Sequence, residues 1–449
     1  MPNRLFDESE TPLDVAAGVP ATFRRPRRPS GKNAEHAKPG VVKAAAPSKP
    51  DFGFHLKPAE VARHLDRFVI GQKEAKKVLS VALCDHFQHV RMALAGQGTP
   101  FYQKQNVLLL GPTGVGKTHL VRSAADLIGV PFVKADATKF SETGYVGGDV
   151  DDLVRDLVRR AGGDVKKAEH GIIYLDEVDK LATSEPIAGR DVSGRGVQTN
   201  LLKLMEDGDV PVVSPNDMTG QLQNAMQTMR GGGGTQPETI NTRHILFIVS
   251  GAFSGMEETI RERLTAKRLL GDAGRNTGGN HSANATALAD PQPGDGRGKR
   301  GLQMTVDQLL QQVTTADLIE YGLEPEFVGR LPVRVACHGL DKEDLFNVLK
   351  KSESSLIHQY ERAFAAYGID VKFEDDGLRG LAGLAAEECT GARGLMTVCE
   401  RVFRDFKFRL PSSRVTRFAV DSALVASPAS ALRNLLKRPR PIPSPVSAS

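Results

Sequence analysis

Eight residues, Gly111-Pro112-Thr113-Gly114-Val115-Gly116-Lys117-Thr118, give a full match to the pattern Gly-x-x-x-x-Gly-Lys-[Ser/Thr]. Glycines at this spacing let backbone N–H groups turn inward on an anion, and a helix opening at the loop adds favourable partial charge. A lysine in the seventh place neutralises β- and γ-phosphate oxygens, and the hydroxyl after it ligates magnesium. The loop, with His119 behind it, therefore predicts bound ATP with Mg2+ on Thr118. At average residue frequencies such a match arises by chance in only a few per cent of chains this long. A second element follows at Leu175-Asp176-Glu177, two acids at the end of an apolar run. Asp176 would orient the magnesium shell, and Glu177 would polarise the attacking water as general base. Adjacent acids after a strand also serve as helix caps, so this pair takes its meaning from the loop that precedes it in the same unit.

These residues need a scaffold, and its pattern is regular. Val107-Leu108-Leu109-Leu110 is a short apolar run that ends on the glycine-rich turn. Val130 to Val133, Ile172 to Leu175 and Ile245 to Val249 are three more such runs. Helical stretches separate them, including Val150 to Arg160 and Gly196 to Met205. Ser250 stands at the end of the last run, a candidate polar contact to a phosphate. Strands alternating with helices predict an α/β fold with a parallel sheet covered on both faces. Two stretches rich in Gly, Asn and Pro interrupt it, and both read as mobile surface insertions. After Pro332 a second pattern begins, with Leu345, Val348, Leu349 and Leu356 on one helix face, a short strand at Val371 to Phe373, and helix from Leu378 to Phe408. The expected organisation is a disordered basic tail over 1–54 and a large α/β domain over 55–335 with insertions at about 214–240 and 271–303. A small, mostly helical α+β domain follows over 336–411, and a disordered Pro/Ser/basic tail over 412–449.

Composition excludes some classes. With 449 residues, 40% hydrophobic and 25% charged, the chain is of ordinary globular type. No apolar run approaches the roughly 18 residues that a membrane helix needs, and Met1 to Pro50 has no apolar segment of secretory type. The net charge of +5 gathers in Arg24-Arg25-Pro26-Arg27-Arg28 and Lys437-Arg438-Pro439-Arg440. Such runs are usually solvated tails, so nucleic acid is not the expected partner. Cys84, Cys337, Cys389 and Cys399 form no Cys-x-x-Cys pair, which predicts no zinc site and reduced thiols in a cytoplasmic protein.

The ordered set of motifs resembles the ClpX family of hexameric AAA+ protein unfoldases. The resemblance rests on Phe68-Val69-Ile70-Gly71-Gln72, Gly111 to Thr118, Ala135 to Thr138, Gly144-Tyr145-Val146-Gly147, Tyr174 to Lys180, Arg190 to Gly194, Gly196-Val197-Gln198, Pro325 to Pro332 and Gly391-Ala392-Arg393-Gly394-Leu395. It runs from about Pro58 to Pro411, and Ala137 to Phe140 and Ser250 to Phe253 are closer to the sister unfoldase HslU. The resemblance implies a six-membered ring acting on unfolded or tagged proteins. Val69 and Ile70 would flank the adenine. Tyr145 and Val146 would face the axis on one pore loop, and Arg190 would belong to a second. Arg330 would reach the neighbouring subunit's γ-phosphate as an arginine finger, and Arg393 would sense the same phosphate in cis.

Three departures stand beside the resemblance. No cysteine precedes Cys84, so the family's four-cysteine zinc module has no counterpart here. No Gly-Phe occurs near Arg268-Leu269-Leu270-Gly271, where the family carries an Ile-Gly-Phe type tripeptide that docks on a ClpP-type peptidase ring. The stretch before Ile245 lacks an Arg-Lys-His type loop, and Arg195 replaces an acid usual in the family. Two readings thus stay open, a protease-coupled unfoldase and a remodelling chaperone without a peptidase. A nucleic-acid motor is the alternative of another class.

Overall fold

The computed structural model describes residues 53–98, 102–140, 148–182, 194–213, 238–275 and 304–437. Helix α1 (Pro58–Phe68) and the long α2 (Lys73–Leu94) lead into strand β1 (Val107–Leu110). The phosphate loop then opens helix α3 (Lys117–Ile128), followed by β2 (Phe132–Asp136), α4 (Asp152–Arg160) and β3 (Ile172–Asp176). Helix α5 (Gly194–Met205) precedes the antiparallel pair β4 (Asp209–Pro211) and β5 (Thr239–Asn241). Strand β6 (Leu246–Gly251), α6 (Met256–Arg275), α7 (Pro325–Gly329) and β7 (Val333–Ala336) complete the first part.

Five strands form one parallel sheet in the order β2-β3-β6-β1-β7. Its central strands, β3, β6 and β1, are apolar runs because both faces are covered. Leu108, Leu110, Ile173, Leu175, Phe247 and Val249 enter one core, and Val107, Leu109, Ile172, Tyr174, Leu246 and Ile248 enter the other. That alternation of a period-two backbone between two apolar layers is what the uninterrupted runs in the sequence encode. Helix α2 is fixed to the sheet side by a buried imidazole, as the His86 Nε2–H donates to the His244 carbonyl at 3.0 Å.

The second part has its own core. Helices α8 (Lys342–Lys351) and α9 (Leu356–Ala365), strand β8 (Asp370–Phe373), helices α10 (Asp375–Glu387) and α11 (Ala392–Arg409), strand β9 (Arg417–Val420) and helices α12 (Ser422–Ala426) and α13 (Pro428–Lys437) surround Phe364, Phe403, Phe406 and Phe418. Strands β8 and β9 pair in parallel, Asp370 with Arg417 through Phe373 with Val420.

Several expectations need correction. The tail expected over 412–449 is structured as far as Lys437. Pro411 sits in a 3-10 turn that ends α11 but not the unit, and Phe418, Val420, Leu424, Val425 and Leu432 beyond it are buried. Asp421 caps α12 by accepting from the Leu424 N–H at 2.8 Å. Helix from Leu378 to Phe408 is two helices, broken at Cys389 and Gly391, which both take positive φ. The strand expected at Val130 to Val133 begins at Phe132 and runs on to Asp136. The expected insertion at 214–240 ends in strand β5, and α6 runs to Arg275, into the insertion expected from 271. The remainder of both insertions, and the tails 1–52 and 438–449, lie outside the described residues.

Candidate ATPase site

The phosphate loop joins the carboxyl end of β1 to α3, the usual place for an anion in an open parallel sheet. Its close approaches are made with backbone. Gly114 has φ +79, and a Cβ there would lie 2.1 Å from the Thr390 carbonyl oxygen. The Ala392 N–H donates to the Gly114 carbonyl at 2.8 Å, so the second unit rests directly on the loop. Lys117 is buried, and its Nζ donates to the carbonyls of Gly111 at 2.5 Å and Pro112 at 2.9 Å. Burial lowers its pKa, opposed by the nearby charges of Asp176 and Asp179. A loop without side chains at Gly111, Gly114 and Gly116, with an ammonium folded into it, fits a polyphosphate.

The two acids stand at the end of β3. Thr118 Oγ1 donates to Asp176 Oδ2 and lies near the Tyr174 hydroxyl, both at 3.3 Å. Ser250 Oγ donates to Asp176 Oδ1 at 2.6 Å and pairs with the Tyr174 hydroxyl at 2.7 Å. Lys134, on β2, brings Nζ to 3.2 Å from Asp176 Oδ2 and 3.4 Å from Thr118 Oγ1. Burial pushes the Asp176 carboxyl up, but the Ser250 hydroxyl and the Lys134 ammonium hold it below its usual value. A hydroxyl and a carboxylate at this separation are the hard oxygen donors that magnesium takes, so the residues fit that ion. Glu177 follows in left-handed backbone, φ 61, and lines the same cavity as the loop. A non-glycine residue held there is a sparsely populated conformation of the kind that gathers at functional sites.

The cavity, of about 830 Å³, collects the remaining groups expected in cis. Val69 and Ile70 line it on one side, Pro112 to His119 form its floor, and Arg393 and Met396 reach it from the second unit. His119 hydrogen-bonds through Nε2 with Ser354 Oγ at 2.8 Å, and burial lowers its pKa. At the junction of the two units, Gln72 and His338 bond reciprocally: the Gln72 Nε2 donates to the His338 carbonyl at 2.7 Å, and the His338 N–H donates to Gln72 Oε1 at 3.0 Å. Arg67 and Glu353 add a bidentate ion pair nearby.

Arg330 is elsewhere. It lines a second cavity of about 580 Å³ with Lys104, Asn106, Glu206, Asp207 and Arg243. Its guanidinium pairs with Glu206, and its carbonyl accepts from Asn106 Nδ2 at 3.0 Å. The structure therefore brings the expected cis residues together around one cavity, with Arg330 outside it, while Ser250, expected to touch a phosphate, is buried against Asp176 and Tyr174. Tyr145, Val146 and Arg190 lie outside the described residues. Sequence reasoning missed Lys134. Its only signal was a charge in the strand Phe132–Asp136, whose register sets Lys134 opposite Tyr174, two residues before Asp176.

A glycine-rich phosphate loop after β1, an Asp-Glu pair at the end of β3 and a polar residue on β6, the strand between them, define a P-loop ATPase. A family model described as AAA domain (Cdc48 subfamily) matches residues 102–334. The ATP-dependent Clp protease ATP-binding subunit ClpX 3 of Methylococcus capsulatus is 38% identical over 379 residues, 82% of this chain and 80% of the relative. The ClpX subunit of Borrelia duttonii is 39% identical over 362 residues, 80% of this chain and 75% of that one. The ClpX subunit of Porphyromonas gingivalis is 36% identical over 373 residues, 82% and 81% of the two chains. The chain belongs to the ClpX family of AAA+ proteins, ATPases whose function is protein unfolding. Among the described residues no helix is long and apolar enough to cross a membrane.

Proposed function

We propose that the chain is a subunit of a homo-hexameric cytoplasmic ring that hydrolyses ATP with Mg2+ and pulls polypeptide through its centre. The observation that carries this reading is the division of one catalytic set between two places on the same chain. Asp176, Glu177, Lys117 and Arg393 surround one cavity, while Arg330 stands in another beside Glu206. The set is completed only when Arg330 of one copy meets the cavity of the next.

The roles follow from position. The loop backbone and Lys117 bind and orient the polyphosphate. Val69 and Ile70 hold the base against the second unit. Thr118 and Asp176 would hold magnesium, which supplies charge neutralisation at the β- and γ-phosphates when bound. Glu177 takes the proton from the attacking water, and Ser250 and Lys134 keep the Asp176 carboxylate ionised and oriented. Arg330 stabilises charge developing on the neighbour's γ-phosphate. Arg393 links that event to the second unit, which bears on the loop through Ala392. For Tyr145, Val146 and Arg190 the role, contact with the substrate, rests on the family resemblance alone.

A ClpP-type peptidase would be the partner if this chain works as its relatives' names say. A second reading, remodelling without a peptidase, is favoured by the absence of any phenylalanine from 268–301. One protein tests both. Glu177→Gln should retain ATP and lose turnover by at least ~100-fold, the low end of general-base contributions. Pull-down with this variant should recover trapped substrates, and a co-purifying peptidase ring would decide between the readings. Turnover at the parent rate would remove Glu177 from its role.

A further inference from the structure

Gln198 belongs to a motif that neither nucleotide binding nor hydrolysis explains. Its side chain is buried, at 1% exposure, and both ends of its amide are bonded. The Nε2 donates to the Leu181 carbonyl at 2.9 Å, and Oε1 accepts from the Glu324 N–H at 2.8 Å. Because one partner is a carbonyl and the other an N–H, the orientation of the amide is fixed by its neighbours. Leu181 closes the 3-10 turn Val178–Leu181, which starts at Glu177. Glu324 is the N-cap of α7, whose C-cap is Arg330. One side chain thus joins the turn that begins at the general base to the helix that ends on the arginine.

The rest of α5 repeats the connection. Its first residue, Gly194, packs so closely that a Cβ would lie 2.2 Å from the same Leu181 carbonyl oxygen. Arg195 pairs with the Glu324 carboxylate at 2.6 Å. Glu206, just past the end of α5, pairs with the guanidinium of Arg330 itself. Buried polar groups are costly to leave unpaired, so Leu181 and Glu324 keep their spacing as long as Gln198 stays between them.

We propose that Gln198 is a positioning residue for Arg330, transmitting the state of the turn after Glu177 to the arginine that this subunit presents to its neighbour. A subunit's own nucleotide would then govern how well it assists hydrolysis next door. The proposal rests on the reading of Arg330 as an arginine finger acting in trans.

The test is a double-mutant cycle in the full-length protein. Steady-state ATPase (kcat, KM and Hill coefficient) and the affinity for a fluorescent ATP analogue are measured for Gln198→Ala, Gln198→Glu, Arg330→Ala and the Gln198→Ala/Arg330→Ala pair. Gln198→Ala should lower kcat by ~10-fold or more and move the Hill coefficient towards one, with KM and analogue affinity changed by less than ~3-fold. The paired variant should be within ~2-fold of Arg330→Ala alone, because both changes remove one function. Gln198→Glu keeps the volume and the acceptor for Glu324 but loses the donor to Leu181. It should fold, show the same loss of cooperativity, and serve as the readout if the alanine variant does not fold. Multiplying effects, or a Gln198→Glu protein with the parent kcat and Hill coefficient, would overturn the proposal and leave the finger intact. An Arg330→Ala protein at the parent rate would instead overturn the finger, and Gln198 with it.

Discussion

The two cavities of this chain differ in how much they hold within themselves. Around Asp176, four side chains from three strands and a helix converge, and each is bonded to another. The second unit meets that cavity through the Ala392–Gly114 backbone bond and through Arg393, Met396 and Ser354. Among the described residues the Arg330 guanidinium has one ion pair, to Glu206, and its side chain is 45% exposed. An exposed pair of this kind contributes little stability and exchanges partners readily. The first region is organised in advance for an anion that arrives. The second holds its cation by an exposed ion pair, which leaves the guanidinium open to solvent.

Substitutions that erase the difference should have the largest consequences. Arg330→Ala should reduce kcat by ~1000-fold, the low end of what arginine fingers supply, without changing nucleotide affinity. Equilibrium binding beside steady-state turnover checks this, and a matching loss of affinity would place Arg330 in the cis cavity after all. Gly114→Val attacks the other region, since its Cβ would meet the Thr390 carbonyl. It should weaken ATP binding by ~100-fold or more, because a non-glycine residue at this φ and contact must displace the second unit or distort the loop. Lys134→Met is milder. Freed from its ammonium partner, Asp176 should bind the metal more tightly, lowering the Mg2+ concentration for half-maximal turnover by ~3-fold. A rise instead would mean that Lys134 acts on the phosphates and not on the carboxylate.

The last effect concerns stability and leaves catalysis aside. His86 is buried, and burial pushes its pKa down to about 3, against an ordinary value of 6.5. The unfolded chain therefore takes up a proton that the folded chain refuses. Stability is unaffected above pH 6.5 and is lost as pH falls below it, by about 2 kcal/mol at pH 5 from this group alone. Urea midpoints at pH 7 and 5 should show the loss, and His86→Gln should flatten it.

Contiguity decides which of these features the sequence discloses. The phosphate loop and Asp176-Glu177 are consecutive residues whose order is their chemistry, so they read directly. Arg393 and Val69 depend on how two units meet, and were reached only through the family resemblance. Lys134 was missed because its meaning lies one strand away, in a register that no local pattern reveals. Gln198 was visible as part of a motif, but its two partners lie 17 and 126 residues distant. The stretch from Ser412 to Lys437 was misread for a different reason. Its Ser, Pro and Arg content suggests a tail, while Phe418, Val420, Leu424, Val425 and Leu432, with the Asp421 cap, hold it on the core of the second unit.

The contact between Ala392 and Gly114 is made of peptide groups alone. That one bond survives side-chain changes elsewhere in the second unit, provided residue 114 remains a glycine and residue 392 keeps its N–H, whereas the His119–Ser354 and Gln72–His338 contacts depend on their side chains. Such a latch carries no information about what any other surface of the chain binds. A chain of this design could accordingly change its outer surface and keep the peptide contact on its phosphate loop.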